Sequence, residues 1–199
     1  MILIILPKNN PFDFPKPKPV VSAMLPYASC SKFVEDICIF TPPTEHLNTA
    51  VKAEILPKAN YNKHCLEKIS SLLHDGVEIP IVEVHQDVRL AGLIAKKFPQ
   101  IKVSVVKHGD YFINRFKENF ALMRLYYYRQ YIRYLSGVYC ISNYVRNTLL
   151  QGYPKIKNKV AVVYNSYGHI LESIENSSNI VKKNQIIFAG KPVAHKGII

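Results

Sequence analysis

A segment of helical spacing lies between two β-branched runs in the middle of the chain, and this arrangement restricts the fold more than any other feature. Residues 79–84 and 101–106 are short, apolar and rich in Ile and Val, as buried strands are. Between them, residues 87–98 put Leu90, Leu93, Ile94 and Phe98 on one helical face, and Pro99 ends the helix. Two strands joined through a helix pair in parallel, because the crossover returns the chain to the same end of the sheet.

The same alternation runs on in both directions. Residues 2–6 read as a first strand, followed by a loop holding Pro7, Pro11, Pro15, Pro17 and Pro19. Residues 20–31 have helical character, with Pro26 expected to kink or end the helix. Residues 36–40 and 50–56 read as strands, and 61–73 as a helix with Cys65, Ile69, Leu72 and Leu73 in register. A long helical pattern covers 115–135, and 137–141 is a strand. Ser142 is placed to cap a helix over 143–150, closed by Gly152 and Pro154. Residues 160–164 form the next strand. The fold class expected is α/β: a Rossmann-like parallel sheet with helices on both faces. Residues 1–171 are expected to make up this domain, 172–184 a polar linker, and 185–199 the start of a second domain expected to be cut short after its first strand.

In such sheets ligands bind beyond the carboxyl ends of the strands. That rule selects His108 and Gly109 after one strand, Ser142 after another, Asn165 after a third, and the run from Gly190 to Gly197 after the last. None of the four cysteines, Cys30, Cys38, Cys65 and Cys140, falls in a zinc spacing, so reduced, buried thiols and no metal site are expected. No apolar run reaches the roughly 18 residues of a membrane span. Residues 2–6 lack a basic flank and meet Pro7 and Lys8 at once, unlike a secretory signal. A cytoplasmic location follows. The net charge is +12, from 26 Lys and Arg against 14 Asp and Glu, which favours an anionic partner.

The order of the polar loops carries more than any one of them. The successive runs VHQD (84–87), VVKHG (105–109), YCISNYVR (139–146), VVYNS (162–166) and IFAGKPVAHKG (187–197) resemble family 4 glycosyltransferases of the GT-B fold. The resemblance covers residues 79–199. It implies an acceptor-binding N-terminal domain that faces a nucleotide-sugar-binding domain across a cleft. His108 matches a family histidine near the reacting sugar and is the catalytic candidate. Gly109, Ser142 and Asn165 line cleft loops. Gly190, Lys191 and Lys196 match the motif that holds the donor diphosphate, where cations offset the charge growing on the leaving phosphate. Lys191 stands where the family has Arg, keeping the charge without the bidentate fork. The family's glycine loop after the first strand is replaced by prolines, with Lys16 and Lys18 as substitutes. The acidic motif and base-binding part of the donor domain would lie beyond residue 199.

The 115–135 segment interleaves basic and aromatic residues. Arg124, Tyr127, Arg129, Tyr131 and Arg133 are candidates for contact with an anionic membrane surface at the inner face of the plasma membrane. An ordinary amphipathic helix with half-buried tyrosines is the alternative. No nucleic-acid-binding motif is present, so nucleic acid is not an expected partner.

The function expected is hexosyl transfer from a nucleotide sugar to a cell-surface glycolipid or polysaccharide precursor. The nucleotide sugar is a substrate, and no cofactor is implied. A separate donor-domain polypeptide is an expected partner, and the chain by itself is expected to be inactive. A non-catalytic remnant or binding module, and more remotely a basic nucleic-acid binder, remain as other readings.

Overall fold

The computed structural model describes residues 1–13, 18–29, 31–47, 51–109 and 121–165. The expectations for Cys30, Lys16, the linker, Gly190, Lys191 and Lys196 lie outside those residues. So do positions 115–120 of the long helix.

Seven strands form one sheet: β1 (Ile2–Ile5), β2 (Ile37–Thr41), β3 (Lys52–Ile55), β4 (Ile81–His85), β5 (Lys102–Lys107), β6 (Gly137–Cys140) and β7 (Val160–Val162). Their order is β3-β2-β1-β4-β5-β6-β7, and every pairing is parallel. The helices are α1 (Pro19–Ser29), α2 (Tyr61–His74), α3 (Val88–Lys97), α4 (Ala121–Ile132) and α5 (Asn143–Gly152). The α/β class and the parallel sheet agree with the sequence pattern.

Strand alternation sorts the core into two layers. Leu3 and Ile5 of β1, Cys38 and Phe40 of β2, Val82 and Val84 of β4, and Val103 and Val105 of β5 face α2, α3 and α5. Ile4, Ile37 and Ile39 face the other way, onto Val20, Val21, Met24 and Ala28 of α1. Helices therefore cover both faces. Cys38, Cys65 and Cys140 are free and buried.

Some boundaries differ from the sequence pattern for local reasons. β4 begins at Ile81 rather than at 79, because Pro80 has no N–H for the ladder. Helix α1 runs through Pro26 to Ser29. The apolar surface that α1 buries against the sheet outweighs the hydrogen bond a mid-helix proline forfeits. The 3-10 helix over Pro154–Lys159 carries no periodic apolar signal in the sequence, where Pro154 reads only as a stop.

Candidate functional site

The strand order reverses between β1 and β4, where the chain moves from one side of β1 to the other. A crevice opens at such a switch point, beyond the carboxyl ends of the strands. Glu83, His85, Gln86, Lys107 and His108 gather beside it.

Val82 and Val84 point into the core, so Glu83 and His85 share the opposite face of β4. His85 pairs with Val106 in the ladder, which brings His108, two residues further, alongside it. His85 Nε2 lies 2.8 Å from Glu83 Oε1. His85 Nδ1 lies 2.8 Å from His108 Nε2, the rings inclined by 28°. His85 is fully buried, with 0% exposure, whereas His108 is half-buried. Burial lowers the His108 pKa to about 4, helped by His85 and Lys107 and opposed by Glu83. His108 is therefore neutral at physiological pH.

The turn after β4 is strained. Gln86 has φ of 67°, and Asp87 N–H donates to His85 O at 2.9 Å, closing a three-residue loop. Lys107 Nζ braces this turn by donating to Gln86 O at 3.1 Å. Lys107 is buried, and that burial lowers its pKa to about 8 despite the nearby Asp87 and Cys140. The side-chain Oε1 of Gln86 is buried without a hydrogen-bond partner among the described residues. Asp87 accepts from Leu90 N–H at 2.9 Å, capping α3, and from Asn62 Nδ2 at 3.1 Å.

The other expected loops are next to this group in the sheet order. Ser142 follows β6, and its hydroxyl accepts from Val145 N–H at 3.2 Å as the cap of α5. Asn143 Nδ2 donates to Tyr164 OH at 3.1 Å, tying the first residue of α5 to the loop after β7. Asn165, three residues beyond β7, is half-buried. Gly109 is also half-buried, directly after His108. The loop after β1 is held by Phe12 N–H donating to Thr41 Oγ1 at 2.7 Å, with Phe12 fully buried. Lys18 is spent locally, donating to Asn9 O.

Of the expected membrane contacts, Arg129 and Arg133 are exposed, and Arg133 stacks on Tyr134 with 4.7 Å to the ring centroid. Tyr131 is half-buried and packs on the core. The side chains of Arg124 and Tyr127 lie outside the described set. No described helix is long and apolar enough to cross a membrane. Among the described residues no three of His, Cys, Asp and Glu gather as metal ligands. An open pocket between Leu73, Ile79, Ile81 and Lys102 lies at the amino ends of β4 and β5, at the opposite end of the sheet from the histidines.

The sequence reading singled out His108 but missed Glu83, His85 and the Lys107 brace. A signal was available: two polar residues, two apart, in a strand otherwise made of Ile and Val.

The family described as Glycosyltransferase Family 4 matches residues 37–167 of this chain. Among solved structures, the N-terminal domain of Candida albicans trehalose-6-phosphate phosphatase is similar in fold, with a TM-score of 0.54 and 13% identity. That likeness covers 89% of this chain and 51% of the other, so the chain spans about half the length of the structure it resembles. No curated protein matches the sequence.

Proposed function

The chain belongs to glycosyltransferase family 4, and from that premise we propose that it forms the acceptor side of an enzyme transferring a hexosyl unit from a nucleotide sugar to a glycolipid or polysaccharide precursor. The observation that carries this reading is the hydrogen-bonded line Glu83–His85–His108 at the carboxyl ends of β4 and β5, beside the switch point of the sheet.

In this reading His108 is the catalytic residue that touches the reacting sugar. A neutral imidazole offers a hydrogen bond to a sugar without adding a charge that would compete for phosphate. Gly109, Ser142 and Asn165 shape the rim of the cleft. Gly190, Lys191 and Lys196 hold the donor diphosphate, and the two lysines offset the negative charge that develops as the glycosidic bond breaks. The nucleotide sugar is the substrate, and no resident cofactor or metal is involved. The remaining donor-side groups come from a donor-binding domain, encoded with this one or as a separate polypeptide.

Charge supports an anionic membrane as the place of work. Residues 88–165 hold 14 of the 26 Lys and Arg but only two acidic residues, Asp110 and Glu118, so the whole +12 excess sits in this half. The exposed Arg129 and Arg133 belong to it. A polybasic surface gains about 1 kcal/mol per cation near anionic lipid. Such docking at the cytoplasmic face of the plasma membrane brings the domain to a lipid-linked acceptor.

The test pairs the 199-residue chain with a donor-side domain and supplies radiolabelled UDP- and GDP-hexoses with a lipid extract. Label entering the lipid fraction is the expected result. No transfer and no nucleotide-sugar binding under any pairing would overturn the reading and make the chain a non-catalytic binding module.

A further inference from the structure

Behind His108 the proton positions are fixed by elementary hydrogen-bond chemistry. A carboxylate only accepts, so the 2.8 Å contact of Glu83 Oε1 with His85 Nε2 requires a proton on that nitrogen. With that single ring proton, His85 carries a bare Nδ1, which is an acceptor. The 2.8 Å contact of that Nδ1 with His108 Nε2 requires the His108 proton to sit on Nε2. His108 Nδ1 is left with its lone pair, and it has no hydrogen-bond partner among the described residues. The reverse arrangement needs an imidazolium at His85, donating from Nδ1. His85 is fully buried, and a ring with a single proton meets both contacts without placing a further charge in the interior.

We propose that Glu83 and His85 are positioning residues that hold His108 in its Nε2–H tautomer, so that Nδ1 faces the site as a hydrogen-bond acceptor for a hydroxyl group. The order of the roles follows the order of the atoms. Glu83 fixes the proton on His85, His85 fixes the proton on His108, and His108 meets the ligand. The arrangement selects for a hydroxyl donor and against a phosphate, whose oxygens would face a lone pair. Only the assignment of that hydroxyl to a sugar rests on the glycosyl-transfer reading.

The experiment is a long-range proton–nitrogen correlation spectrum of the full 199-residue chain, labelled with nitrogen-15 histidine, at pH 7. The seven histidines are assigned by single substitutions, with amide spectra confirming that each variant is folded. The expected pattern has His85 and His108 both protonated on Nε2, with His108 Nδ1 bare. In Glu83→Gln the amide can donate as well as accept, so both histidines are expected to become mixtures of tautomers. In His85→Gln, His108 is expected to lose its single tautomer while the fold is kept. A His108 protonated on Nδ1 in the wild type, or a His108 tautomer indifferent to both substitutions, would overturn the proposal. Glycosyl transfer is scored separately: its absence with the expected tautomers defeats the functional reading and leaves the relay intact, and its presence with the reverse tautomer does the opposite.

Discussion

His108 carries a pH dependence whose sign follows from its environment. Its folded pKa of about 4 lies below the ordinary 6.5, so between those values the unfolded chain binds the proton more tightly. The neutral ring's contribution to stability is complete above pH 6.5 and is lost as the pH falls through 4. A histidine proton titration should place the His108 midpoint near 4, and in His108→Asn the urea midpoint should fall less between pH 6.5 and pH 4 than in the wild type. A midpoint near 6.5 would contradict the buried environment. Gln86 adds a second test at this scale. A non-glycine residue at φ of 67° is strained by about 1 kcal/mol or more. Gln86→Gly should therefore leave stability unchanged or raise it by up to about 1 kcal/mol in urea unfolding. His108 was legible in the sequence because it ends a clear strand and sits in a family motif. Glu83 and His85 were legible only as two polar residues in an apolar strand, because their role comes from a neighbouring strand and from a register that sequence alone does not supply.

The elements follow the sequence wherever a local signal acted alone. Ser142 caps α5, as its position before a periodic segment leads one to expect, and Asp87, the first residue of the 87–98 pattern, proves to be the cap of α3. Asp87→Ala removes the cap of α3 and the Asn62 contact, and should cost about 1–2 kcal/mol in chemical denaturation. The packing of α3 on α4 was not legible. Gly92 lies mid-helix, where a glycine usually weakens the helix. The structure gives the reason: a Cβ there would fall 2.4 Å from Tyr131 Cβ and 2.7 Å from its Cα. Because backbone as well as side chain is in the way, Gly92→Ala should push α4 off α3 and lower stability by about 1–3 kcal/mol, read from the thermal midpoint. The same contact explains why Tyr131 is half-buried while Arg129 and Arg133 point to water. A basic and aromatic helix reads alike from its sequence whether its tyrosines meet a core or a bilayer, and only the partner helix separates the two.

Across the whole molecule, charge and chemistry are unevenly spread. The half of the chain before residue 88 and the part after 165 balance their charges, and the excess lies between. Binding to vesicles containing anionic lipid should weaken steeply with salt, and Arg129→Glu with Arg133→Glu should reduce it by about tenfold or more. Binding that ignores both salt and substitution would remove the membrane from the account. The parallel class was legible in the alternation of strands and helices, whereas the strand order was not, because a crossover can place the next strand on either side of the last. The crevice rule picks out the loops after the strands, and the order adds which of them flank the switch point. The central claim is that the acceptor chemistry sits at the carboxyl ends of β4 and β5, on His108. It is tested most directly by the rate of hexosyl transfer from a nucleotide sugar, measured for wild type and His108→Ala, each paired with the donor-side domain. The account predicts a loss of about 100-fold or more in the variant with its fold intact. Equal rates would contradict it.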